Sequence, residues 1–318
     1  MVIIANRTLE VSPVVDTYWR FAAERQAIYE RRVAGLPGPW TDDEILRTHR
    51  FTNCYRASDR VSQFLIRHVI YEGSQAPEEV LFRTLVFKLF NRESTWNLLS
   101  EQLGKLEWRT FDFETYNRVL TEAFESEQRL YSAAYVMPSP KLGEVRKHSN
   151  HLRLIELMLN DDLSEQIQHA SDLEMAFEIL RSYPSLGDFL AFQYLIDINY
   201  SEMTSFDEKD FVVAGPGAKD GIRKCFGPGS IGIESEIINY MVVNQRAEFE
   251  RLCLEFNGLK GRALQPIDCQ NLFCEVDKYS RVAHPEIQGK SGRSRIKQKF
   301  HESAVPAEPW FPPKWGLN

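Results

Sequence analysis

Apolar positions recur at three- and four-residue intervals over most of this chain, and strict alternation is rare. From Asp16 to Ala34, residues Tyr18, Phe21, Ala22, Arg25 and Ile28 fall near one face, which predicts a helix. Gly35-Leu36-Pro37-Gly38-Pro39 ends it, and Thr41-Asp42-Asp43-Glu44 supplies the cap and early acids of another start. Ala57–Tyr71 reads as an amphipathic helix with Val61, Phe64, Leu65, His68 and Val69 inward. A further helix begins near Pro77, since proline suits a first turn. Segments 115–134, 146–160, 163–169, 173–181, 189–199 and 233–256 follow the same period, while alternation is confined to Val2–Ala5. The pattern predicts an all-α protein of two lobes. Met137-Pro138-Ser139-Pro140 breaks the chain between a lobe at 16–136 and a second at 141–300. A proline- and tryptophan-rich end, 301–318, is expected to lie extended on the surface.

Composition narrows the function without choosing it. The 318 residues are 43% hydrophobic and 26% charged, the balance of a globular protein with a full core. No apolar run is long enough to span a bilayer, and the first residues lack a basic region and cleavage site, so a cytoplasmic protein without membrane association is expected. Five cysteines at irregular spacing argue against a disulfide framework and against zinc, and no metal or organic cofactor is called for. The net charge of −7 argues against a general nucleic-acid coat. Between Lys278 and Lys299, however, Lys278, Arg281, Lys290, Arg293, Arg295, Lys297 and Lys299 face a single acid, Glu286. That asymmetry suits a polyanion, or else a solvated tail.

Four constellations carry candidate chemistry. The turns at Leu186-Gly187 and Gly215-Pro216-Gly217 each open a predicted helix, whose first amides favour a phosphate, with Lys219, Arg223 and Lys224 following the second. Gly187, Gly215, Gly217, Lys219, Lys224, Arg281, Arg293 and Arg295 are therefore expected to hold a DNA backbone. In Arg50–Gln63, Asn53 and Gln63 suit a base edge, Arg56 and Arg60 suit phosphate, and Asp59 suits a general base or an arginine partner. Near Phe90 and Trp96, Asn91 adds a hydrogen-bonding group beside flat rings, as a base taken out of its stack requires, although aromatic residues at this spacing also suit a core. In Ile267–Arg281, Asn271, Glu275, Lys278 and Tyr279 share one helical face, which suits proton transfer or a plain salt bridge.

The segments RFTNCYRASDRVSQFLIRHVIY, LFRTLVFKLFNRESTW, SLGDFLAFQYLIDINYS, FVVAGPGAKDGIRKCF and IDCQNLFCEVDKYSRV together resemble the helical domain associated with 5-hydroxymethyluracil DNA kinases. They also resemble the related alpha-glutamyl/putrescinyl-thymine pyrophosphorylases, a group similar to helix-hairpin-helix DNA glycosylases. The resemblance spans about Asp16 to Arg281 and implies a helix-hairpin-helix, glycosylase-like fold acting on a modified pyrimidine in DNA, most readily duplex phage DNA. No P-loop accompanies it: in His284–Ser291, histidine stands where the first glycine is needed. The favoured expectation is base excision in anti-phage defence. Asn53, Arg56, Gln63 and Asn91 would read the flipped base, and Asp210 or Asp197 would stabilise the sugar cation. Lys278 beside Glu275 offers an amine alternative. A second expectation is a transferase that hypermodifies 5-hydroxymethyluracil in DNA, with Arg56, Arg60 and Lys88 on the leaving pyrophosphate. A third is a non-catalytic reader of modified DNA.

Overall fold

The structure, a computed structural model, describes residues 1–302 and 308–318. Among them the strands are β1 (Val2–Ile4) and β2 (Arg7–Leu9), an antiparallel hairpin pairing Val2 with Leu9. The α-helices follow as α1 (Val14–Val33), α2 (Glu44–Thr48), α3 (Arg60–Phe64), α4 (Pro77–Phe90), α5 (Glu93–Leu103), α6 (Phe113–Glu125), α7 (Lys147–Asn160), α8 (Leu163–Gln168), α9 (Leu173–Arg181), α10 (Asp188–Ile198), α11 (Pro216–Phe226), α12 (Glu234–Arg251) and α13 (Pro266–Ala283). The all-α expectation holds. The helix expected over 57–71 is not one helix: a 3₁₀ turn at Arg56–Ser58 precedes α3, and Leu65–Ile70 winds as a π turn. The carbonyls around this loosened turn are taken by Arg83 of α4, whose guanidinium donates to Val69 O at 2.8 Å, Ile70 O at 3.1 Å and Ser74 O at 2.7 Å.

The chain divides into two compact units, each built from separated stretches. The first is Met1–Asp59 with Phe211–Pro309; the second is Arg60–Asp210 with Trp310–Asn318. This division differs from the sequential 16–136 and 141–300, because Met137–Pro140 lies inside the second unit and α1 packs on helices from the chain's last third.

In the first unit α13 is central, contacting α1, α11 and α12. Tyr18 and Trp19 of α1 interlock with Phe273 and Phe249, and the Tyr18 hydroxyl donates to Cys269 O at 3.2 Å. α11 lies against α13 through its small residues. A β-carbon on Gly217 would stand 2.3 Å from Cys274 Sγ, and one on Gly221 2.0 Å from Phe273 O. Gly217 thus makes room for the Cys274 side chain, and Gly221 for the α13 backbone itself. Farther along the same face Lys224, 2% exposed, pairs with Asp277 Oδ1 at 3.0 Å and donates to Asp277 O at 2.9 Å.

In the second unit α4 is buried on nearly every side, with α3 and the π turn, α5, α7, α8 and α10 around it. The end of the chain joins this core. Phe311 is 1% exposed, Trp315 sits edge-on to Tyr200, and Lys314 Nζ donates to Ser201 O and Thr204 O at 2.8 and 2.7 Å. The extended surface tail expected over 301–318 is thus corrected for 308–318, because its aromatic rings find apolar cover. Residues 303–307 of that stretch lie outside the described residues.

Candidate active site

A group of converging polar side chains lies in the first unit, on the strap from Thr52 to Asp59. Two helices hold it. From α1, Arg25, 8% exposed, donates through Nε to Thr52 O at 2.9 Å and through Nη2 to Asn53 Oδ1 at 2.7 Å. From α13, Glu275 accepts the Thr52 N–H at 3.0 Å, and Asp268 accepts the Arg56 N–H at 2.9 Å. Asp268 also accepts the Gln265 N–H at 3.0 Å, closing a capping box as the third residue of α13. The strap closes on itself through two bonds of 2.7 Å: the Asn53 N–H to Asp59 Oδ1, and Asn53 Nδ2 to Ser58 O. Neither helix alone could fix this strap, since both supply acceptors or donors to its backbone.

Charge is distributed unevenly here. Asp59 is partly exposed, yet desolvation pushes its carboxyl up to about 7; the Asn53 N–H and Arg25 oppose the rise, and Glu275 adds to it. Desolvation likewise lifts Asp268 to about 6, against its two backbone N–H bonds. Burial lowers Arg25 from the usual arginine range, with Asp59 the first charge to oppose it. A carboxyl that changes protonation near neutrality, beside a buried guanidinium, is equipped to take or return a proton.

The expected site residues are distributed as follows. Asn53, Arg56, Asp59 and Glu275 come together on or against the strap. Lys278 pairs with Glu275 at 2.6 Å and lies 4.5 Å from the Phe51 ring centroid. Tyr279 donates instead to Asp43 at 2.6 Å, and Asn271 accepts from Gln270 at 3.1 Å. Gln63, Asn91, Asp197, Asp210 and Gly187 belong to the second unit. Gln63 accepts the Trp310 N–H at 2.8 Å, and Asn91 closes α4 in the left-handed conformation. Asp197 is 1% exposed and pairs with Lys88 at 2.6 Å, while Lys88 also lies over the Tyr135 ring. The pair belongs to the core, where losing either partner would strand a charge. Asp210 is an exposed loop residue.

The glycine turns likewise separate. Gly187 is exposed and precedes α10 in the second unit, whereas Gly215 is buried in the first. Lys219 is exposed on α11, and Lys224 is enclosed by its bonds to Asp277. Arg281 pairs with Asp277 at 2.5 Å and donates to Arg295 O at 3.1 Å. Arg293 and Arg295 are exposed on a segment anchored to the first unit: Arg50 N–H donates to Gln298 O at 3.1 Å and Phe300 N–H to Thr48 O at 3.0 Å. The basic stretch is therefore no solvated tail. Arg25 escaped the sequence reading as a functional residue, although a charge at a core position of α1 already demanded a partner.

Comparison with known proteins bears on these groups. The family model described as "5-hmdU DNA kinase, helical domain" matches residues 12–289. The chain belongs to this family. Its members' helical domain is thus what the first and second units together represent, from the end of the N-terminal hairpin to the basic segment. A 5-hmdU DNA kinase of Bacillus phage SP10 is 28% identical over 286 residues, covering 83% of this chain and 44% of that protein. The chain spans less than half the length of this curated relative. No solved structure matches significantly. The expected glycosylase is corrected by this result, because the named relative is a kinase, a group-transferring rather than a base-releasing enzyme. Of the three expectations, the transferase on modified DNA lies nearest to that relative's name, which is a kinase's and not a pyrophosphorylase's. Among the described residues no helix is long and apolar enough to cross a membrane.

Proposed function

We propose that this chain binds DNA containing 5-hydroxymethyl-2′-deoxyuridine and presents the base's hydroxymethyl group for phosphoryl transfer. The family membership and the name of the phage relative support the substrate and the reaction class. The observation that carries the residue assignment is Asp59, a partly exposed carboxyl held near neutrality beside Arg25 and Asn53. In the transfer the hydroxymethyl oxygen forms a bond to phosphorus and gives its proton to the Asp59 carboxylate. The bond from phosphorus to the donor's leaving oxygen breaks, and that oxygen keeps the electron pair. The phosphoryl donor is a nucleoside triphosphate. The exposed Arg293 and Arg295 are assigned to the DNA backbone, where charge rather than sequence governs affinity.

The test compares duplexes that carry thymine or 5-hydroxymethyluracil at one position. Fluorescence anisotropy should show tighter binding of the hydroxymethylated duplex, and Asp59→Asn should keep that preference. With a nucleoside triphosphate and the remaining portion of a full-length relative supplied, mass spectrometry of digested DNA should show a phosphorylated base that Asp59→Asn abolishes. Equal affinity for both duplexes, or undiminished phosphorylation by the Asp59→Asn chain, overturns the reading.

A further inference from the structure

The second unit contains a cavity of about 520 Å³ where the end of α6, residues 128–132 and the start of α7 meet. Its lining includes Phe124, Arg129, Tyr131, Arg146, Lys147 and His148, and no carboxylate side chain.

The cations here rest on aromatic rings. Lys147 Nζ lies 4.2 Å from the Tyr131 centroid, and Arg146 Cζ lies 5.3 Å from that of Phe124. Arg146 has one acid, Glu125, at 2.7 Å. Among the described residues, no ion pair engages Lys147 or Arg129; the Arg129 Nε–H donates to Tyr131 O at 3.1 Å. Lys147 is therefore a cation fixed by a ring, with donors left for an outside acceptor. The same cavity receives the start of α7, a 14-residue helix whose leading residue Arg146 gives no side-chain cap to the first amides. Cationic side chains and helix amides thus reinforce one another around an acid-free space.

We propose that this cavity is a nucleotide-binding site, with the phosphate taken by Arg129, Lys147 and the α7 amides, and the base laid against Phe124. A bare phosphate would leave most of the volume unfilled, and the size falls within the usual range of small-molecule sites, roughly 300–1,000 Å³. Phe124 is 55% exposed, an aromatic surface that the fold itself does not cover. The recognised chemistry is a nucleoside phosphate, and its source is either a free nucleotide or one nucleotide of a DNA strand. The assignment is separate from the Asp59 site, which belongs to the other unit.

Calorimetric titration of the whole chain with dTMP, inorganic phosphate and a single-stranded oligo(dT) tests it. Saturable binding of dTMP is expected, weakened about tenfold or more in Arg129→Gln/Lys147→Gln. Phe124→Ser should weaken dTMP severalfold and leave inorganic phosphate unaffected. Oligo(dT) binding with the same sensitivities, in the absence of dTMP binding, would support the site and identify a strand as its source. All three substituted side chains are on or near the surface, and an unchanged thermal midpoint confirms that the variants fold. The proposal fails if neither dTMP nor oligo(dT) binds. It also fails if the charge variant binds as the parent does, or if Phe124→Ser leaves the affinity for the bound nucleotide or strand unchanged.

Discussion

At the scale of single residues, Asp59 joins stability to the proposed chemistry. Its native carboxyl titrates near 7, against 3.8 for an ordinary aspartate. Between those values the folded chain holds a proton that the unfolded chain has released, so stability falls as pH rises through the window. The full cost remains above pH 7, and none applies below the unfolded value. Asp268 acts in the same direction between 3.8 and about 6. Asp59→Asn retains an oxygen for the Asn53 N–H and removes the charge. Urea unfolding should therefore show a shallower decline between pH 4 and 7, and at pH 8 a gain on the order of 1–3 kcal/mol. An unchanged slope would mean that the carboxyl is solvated. Part of this was legible in the sequence: Arg25 stands on the apolar face of a predicted helix, and Asp59 follows a cluster of polar groups. Their mutual position was not legible, because the strap linking them takes its shape from Glu275 and Asp268 on a distant helix.

At the scale of elements, two glycines have different work. Gly187 starts α10 with open space around its missing β-carbon, whereas Gly221 of α11 meets the Phe273 carbonyl of α13. Gly221→Ala should destabilise the chain by about 2 kcal/mol or more, since neither helix backbone can yield without losing its own packing. Gly187→Ala should cost within about 1 kcal/mol, the usual difference between these residues at a helix start. Equal shifts in urea midpoint would contradict the close approach of α11 and α13. The glycine turn at 215–217 illustrates the ambiguity. Glycine permits a backbone to approach either a phosphate or a neighbouring helix, and local sequence does not distinguish these. Lys224 is a similar case: it follows the turn as a phosphate ligand would, yet Asp277 encloses it.

At the scale of the whole molecule, both compact units take residues from separated stretches, so the end of the chain completes the second unit. Shortening the chain after Glu302 removes Phe311 from its core and Lys314 from the carbonyls of Ser201 and Thr204. Loss of that one aromatic side chain alone predicts about 3 kcal/mol or more. Hydrogen exchange should register it as lower protection in residues 195–204 than in the full chain. Equal protection there would show that the terminal segment adds nothing to the unit.

The sequence alone determined the helical class, most helix starts, and a resemblance that reached the correct family, because periodicity, caps and long motifs are local properties. It did not determine which charged residues remain available. Lys88 with Asp197, and Lys224 with Asp277, became buried pairs only when distant helices packed together. Burial and partnership depend on those long-range contacts, so tertiary structure decided that Asp197 is enclosed with Lys88 while Asp59 stays partly exposed.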